Sequence, residues 1–225
     1  MRRPRPGRRP AAGRHALIVV LALGLGFSGI ALPDPAQAVG APTTSLESRA
    51  PGLAGAKANG STGTTSISAD GRFIAFQSTA TNLSPADGDT TPDIFLRDRR
   101  TGVNTLVSRA TGATGAKGND TSDEPAISAD GRWVAFRSRA MLDPVDTDGN
   151  ADIYVRDLVA NTTTLASRAT GAAGVKSDFG GDDPAISGDG RMVSFVSRPP
   201  TSTRPTPSRA PTSTSATWWP TPRPW

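Results

Sequence analysis

Asp146-x-Asp148-Gly149-Asn150-x-Asp152 sets oxygen donors at alternate positions around a glycine turn, the way loops hold hard cations such as calcium. The Glu that supplies two oxygens at the twelfth position of a complete calcium loop is missing. The earlier copy, Asp87-x-Asp89 with Asp93, lacks the Gly and Asn in the turn. This incomplete pattern favours a polar loop between strands, closed by Asx-turns of its Asp and Asn side chains. Calcium on Asp146, Asp148, Asn150 and Asp152 is the cation-binding expectation set against it. Gly112-x-x-Gly115-x-Lys117 lacks the four-residue spacer and the Ser/Thr after Lys that a phosphate loop needs, and no helix pattern follows. Ser128-x-Asp130-Gly131 matches a sialidase Asp-box only loosely. No pair of carboxylates stands out for glycoside cleavage. The chain has no Cys, and its one His, His15, lies in a segment expected to be removed. The remainder has neither a Ser-His-Asp or Cys-His nucleophile nor a His-ligated zinc site. No catalytic residue and no cofactor-binding residue is expected.

These residues belong to a repeat. Asp-Gly-Arg begins at Asp70, Asp130 and Asp189, with periods of 60 and 59. Pro125–Asp157 holds the fullest copy, with Ser66–Ser78 upstream and Pro184–Ser197 downstream. Ser-Arg-Ala-x-Gly-x-x-Gly-x-Lys likewise recurs from Ser48, Ser108 and Ser167. A fixed period of this length indicates a repeat architecture. A residue repeated in every copy serves the repeat, whereas a catalytic group is usually unique, so the Asp-Gly-Arg triplets read as structural.

Each unit reads as four short strands, in the middle copy Ala126–Ser128, Trp133–Ser138, Asp152–Asp157 and Thr162–Arg168. Asp130-Gly131 between apolar runs is a hairpin turn that needs positive φ. Val134 and Phe136 alternate with Trp133 and Ala135, so both faces of the second strand are apolar and both should be covered. The blades of a β-propeller, four strands each around a central channel, supply that environment. S-A-D-G-R-W-V-A-F-R-S followed by D-G-N-A-D-I-Y-V-R-D resembles the TolB-type, WD-repeat-like β-propeller repeat over residues 39–197. The resemblance implies an all-β chain, an incomplete propeller of about two to three four-stranded blades. A fourth strand around Ser45–Arg49 would complete the last blade of a closed ring. At about 60 residues per blade the repeat region makes fewer than three blades, short of the roughly four to eight of a closed ring. An apolar face left without a neighbour predicts poor stability.

The two ends differ from the repeats. Residues 1–38 read as a signal peptide: Arg2, Arg3, Arg5, Arg8, Arg9 and Arg14, then the uncharged run Ala16–Leu32, then Ala36-Gln37-Ala38 as the cleavage site. This implies a secreted or envelope protein with no membrane span after cleavage. Residues 198–225 form a Pro/Ser/Thr/Arg-rich tail without Gly, acid, Leu, Ile or Val, which alone would read as disordered. Read one base back, Thr217-Trp218-Trp219-Pro220 spells Leu-Val-Ala, as at Leu158-Val159-Ala160. Pro211 to Thr217 then permits Asp-Val-Tyr-Leu-Arg-Asp, the counterpart of Asp152–Asp157. The tail therefore reads as an out-of-frame continuation, and the chain as a truncated product.

The net charge of +5 comes from the ends: residues 39–197 carry 15 Lys and Arg against 19 Asp and Glu. A mildly acidic repeat region has no footprint for phosphate backbones, which excludes nucleic acid. The expected function is a non-enzymatic platform that binds an envelope protein or a surface glycan. The alternatives are the propeller portion of an extracellular hydrolase or lyase, and a product without function.

Overall fold

The computed structural model describes residues 44–168, 174–177 and 180–197, and the backbone alone of Ser213–Thr217. The expected signal peptide lies outside these residues, as does the tail apart from Ser213–Thr217. All regular structure in the described residues is β, in three antiparallel sheets. The first holds β1 (Thr62–Ile67), β2 (Phe73–Ser78), β3 (Asp93–Asp98) and β4 (Val103–Leu106), paired in chain order. The second repeats that order with β5 (Ser122–Ile127), β6 (Trp133–Ser138), β7 (Asp152–Asp157) and β8 (Thr162–Leu165). The third has β9 (Asp182–Ile186), β10 (Met192–Val196) and β11 (Ser213–Thr217).

The second and third strands of the middle copy occupy the predicted residues. Its first strand starts earlier than predicted, at Ser122, because a bulge between Asp123 and Ala126 carries the pairing past Pro125. Its fourth ends earlier, at Leu165. Ser45–Arg49, expected as a strand, forms no ladder: no third strand precedes it among the described residues, and Arg49 makes a single bridge to Lys57. In its place Arg97 and Arg99 hold Glu47 at 3.2 and 3.0 Å. β11 was not expected from its in-frame residues. It pairs with β10 as a third strand, Met192 opposite Thr217, much as β7 pairs with β6 through Trp133 and Asp157. An unpaired β10 edge offers a row of N–H and C=O groups, and the Thr- and Ser-rich backbone satisfies it.

The sheets stack face to face, with contacts richest at their first strands. Val134 and Phe136 of β6 join Ala75, Ile94, Leu96 and Val107 of the first sheet in one core. Trp133 and Ala135 join Val193 and Phe195 of the third sheet in another. One strand thus buries both faces, as its unbroken apolar run requires. The Asp-Gly turns sit on one another through Ala69 N–H to Ala129 O at 3.0 Å and Ala129 N–H to Gly188 O at 2.9 Å. Gly131 and Gly190 have φ of 75° and 72°. A Cβ on Gly131 would overlap the Phe73 ring, and one on Gly190 the Trp133 ring. Glycine is required at both turns for the backbone angle and for close approach of the preceding sheet.

Candidate functional site

The polar chemistry divides between two ends of each sheet. At the short-turn end, Ser128 Oγ donates to Asp130 Oδ1 at 2.6 Å, and the same carboxylate accepts the Arg132 amide at 3.0 Å. The Arg132 guanidinium grips Asp157 with two bonds, at 3.1 and 2.7 Å, and lies 4.6 Å over the Trp133 ring. Burial works against the Asp157 charge, but the bonds from Arg132 and two amides hold its carboxyl below the usual range. The first sheet repeats the arrangement with Ser68, Asp70, Arg72, Asp98 and Phe73, and Arg72 holds the Asp98 carboxyl far below its ordinary value. The triplets are turn and strand fasteners.

At the other end are the long loops, 79–92 and 139–151, and the linkers to the next sheet. Of the four expected calcium ligands, Asp146, Asp148 and Asp152 converge. At their centre stands the ammonium of Lys176, 3.6, 2.9 and 2.8 Å from their nearest oxygens. Asn150 donates its amide N–H to Asp148 Oδ1 at 2.9 Å, an Asx-turn of the kind the loop reading expected. Asp146 Oδ2 accepts the Tyr154 hydroxyl, and Asp152 Oδ1 accepts Ser167 Oγ at 2.6 Å. The earlier copy does the same: Lys117 Nζ lies 3.8, 3.1 and 2.7 Å from Asp87, Asp89 and Asp93.

Asp146, Asp152, Asp87 and Asp93 are all buried. Burial pushes the Asp93 carboxyl up to about 6 against the pull of Lys117 and Ser108, and raises Asp152 in the same way. Burial also opposes both ammonium charges, but the bonds to Asp93 and Asp152 outweigh it and raise both lysines. The copies also differ beneath the acids. Phe95 replaces Tyr154, and Asp87 Oδ2 is buried with no hydrogen-bond partner.

The Gly112–Lys117 stretch is a linker whose backbone groups are spent on the second sheet and within the linker itself, while the Lys117 ammonium turns back to the first sheet. Gly112 N–H bonds Asn161 O at 2.7 Å, Arg109 clasps Gly115 O, and Arg156 donates to Gly112 O at 3.0 Å and Ala110 O at 2.9 Å. Burial lowers Arg156 to about 10, which leaves it charged at neutral pH. Sequence reasoning missed the tasks of Lys117, Lys176, Arg97 and Arg156. The available signal was that each recurs at a fixed distance from the same Gly and Asp residues. Where the sheets meet, Arg137 of β6 pairs with Asp123 at 3.0 Å and with Asp182 of the third sheet at 2.8 Å.

Four-stranded antiparallel sheets paired in chain order, repeated by sequence and stacked at their first strands, make this an incomplete β-propeller. Solved structures similar to it include TolB from Acinetobacter baumannii, 20% identical with a TM-score of 0.41 over 72% of this chain and 31% of that one. The β-propeller domain of the Trilobed protease from Pyrococcus furiosus is 16% identical, with a TM-score of 0.37 over 61% of this chain and 34% of that one. The tricorn protease is 18% identical, with a TM-score of 0.42 over 69% of this chain and 13% of that one. The chain thus spans about a third of the TolB chain or of the Trilobed protease propeller, and far less of tricorn. No protein-family model and no curated protein matches it.

Proposed function

We propose that the chain is part of an exported, non-enzymatic β-propeller platform whose long-loop end binds another envelope protein or a surface glycan. The observation that carries this reading is the recurrence of the charged chemistry. The Arg72–Asp98 and Arg132–Asp157 pairs, and the acid clusters on Lys117 and Lys176, occupy matching positions in the first two sheets and neutralise one another, so they serve the blade. Variation is left to the loops, where binding surfaces generally lie. Beside Lys176 a cleft of about 370 Å³ is lined by Val145, Thr147, Asp148, Arg168 and Val175. Val145 and Val175 are exposed there, at 42% and 77%, which gives a partner apolar contact within a polar rim. Export rests on the signal-like residues 1–38. No helix among the described residues is long and apolar enough to cross a membrane.

The test is chemical crosslinking of the purified chain to isolated envelope proteins and to cell-wall polysaccharide, with the crosslinks mapped by mass spectrometry. Links concentrated in 139–151 and 174–177, and reduced by Val145→Asp or Val175→Asp, are the expected result. Robust turnover of peptide, ester or glycoside substrates, or links confined to the Asp-Gly-Arg end, would overturn it.

A further inference from the structure

We infer that Lys176, and Lys117 in the first sheet, are the resident cations of the acidic loops, and that the wild-type loops take no divalent ion. The donor count is the first argument. An ammonium has three N–H groups, and Lys176 Nζ meets Asp152 Oδ2 at 2.8 Å, Asp148 Oδ2 at 2.9 Å and Ser177 O at 3.5 Å. Calcium takes six to eight oxygens. Here Tyr154, Ser167 and the Asn150 amide already use one oxygen each of Asp146, Asp152 and Asp148.

The second argument is recurrence. Lys117 Nζ meets Asp93 Oδ2 at 2.7 Å, Asp89 Oδ2 at 3.1 Å and Gly118 O at 3.1 Å, although the loop differs in length and lacks the glycine turn. The feature common to both copies is the lysine and its three carboxylates. The third argument concerns connection. Each lysine lies on the linker leaving its sheet, two of its acids on the loop between second and third strands, and the third acid at the start of the third strand. The ammonium therefore ties loop to linker with no ion supplied from outside. The loop end is consequently set in the same shape with or without calcium.

Two measurements decide the matter. In the wild-type chain, amine acetylation followed by mass spectrometry compares Lys117 and Lys176 with exposed Lys57. The expected result is fast labelling of Lys57, at least tenfold slower labelling of the other two, and no change with 10 mM calcium. Labelling of Lys117 or Lys176 that rises with calcium shows that the ion displaces the ammonium, and overturns the inference. The second uses terbium luminescence, with Tyr154, whose hydroxyl touches Asp146, as the sensitiser. Wild type should give no saturable emission. Lys176→Met should give emission that calcium competes away and that Asp152→Asn in the same background abolishes. Saturable emission from wild type that Asp152→Asn removes refutes the proposal. The labelling experiment needs no variant and is decisive even if Lys176→Met fails to fold.

Discussion

Phe95 and Tyr154 occupy the same place in β3 and β7, and each lies eight residues after a buried aspartate, Asp87 or Asp146. Tyr154 gives its hydroxyl to Asp146 Oδ2, whereas Asp87 Oδ2 is buried without a donor. Phe95→Tyr should supply the missing bond. A buried acceptor left unsatisfied costs about 1–3 kcal/mol, and a hydrogen bond to a charged group contributes about 1.5–3 kcal/mol. Some of the gain is lost in seating one more atom against buried Leu83 and Phe76. A net stabilisation of about 1–2 kcal/mol is expected, which for a chain of this size raises Tm by roughly 2–8 °C. Tyr154→Phe should act in the opposite sense, with a loss of about 1–3 kcal/mol. The assay is urea denaturation followed by circular dichroism, with the denaturant slope checked for constancy so that a midpoint shift reports stability. If Phe95→Tyr leaves the midpoint unchanged or lowers it, the unsatisfied oxygen is not the difference between the two blades. If Tyr154→Phe is neutral, the hydroxyl bond carries no stability, and the reasoning fails at its source.

Gly131→Ala should destabilise by about 2 kcal/mol or more, since it places a side chain at φ 75° and against the Phe73 ring; a thermal melt within 1 °C of wild type would contradict this. Lys117→Met leaves Asp93 buried without its cation and should cost about 3–5 kcal/mol, measured in the same urea assay and largely recovered in Lys117→Met/Asp93→Asn. Stability should also vary with pH. Asp93 is raised to about 6, so its native state binds a proton more tightly than the unfolded chain. Its contribution of about 3 kcal/mol is present below the ordinary carboxylate value and is lost as pH rises through 6, with raised Asp87 and Asp152 acting in the same direction. Asp98 and Asp157, held low by Arg72 and Arg132, contribute stability above the ordinary value and lose it as pH falls further. Tm should therefore rise from pH 8 to 5 and fall below about 4, and Asp93→Asn should flatten the upper limb; a level profile between pH 8 and 5 would refute this.

What the sequence determined by itself was local. The alternation in Trp133–Ser138 set which side chains face which neighbour, and the cores of Val134 with Phe136 and of Trp133 with Ala135 follow it. The Asp-Gly turns were legible because positive φ is a property of three or four adjacent residues. The gathering of Asp146, Asp148 and Asp152 was legible for the same reason, since one short loop carries all three. Their counterion was not. Lys176 stands 28 residues beyond Asp148, at the end of the third Ser-Arg-Ala-x-Gly-x-x-Gly-x-Lys copy, and only the tertiary fold brings the two within 2.9 Å. Arg156 likewise lies buried among linker carbonyls that are 44 and 46 residues away in the chain. Burial itself was decided by neighbours. Ile127, covered by the first sheet, is 8% exposed, while Ile67 in the same position of the repeat is 57% exposed. The local sequence sets the direction of a side chain, and the stacking of sheets decides whether water is there to meet it.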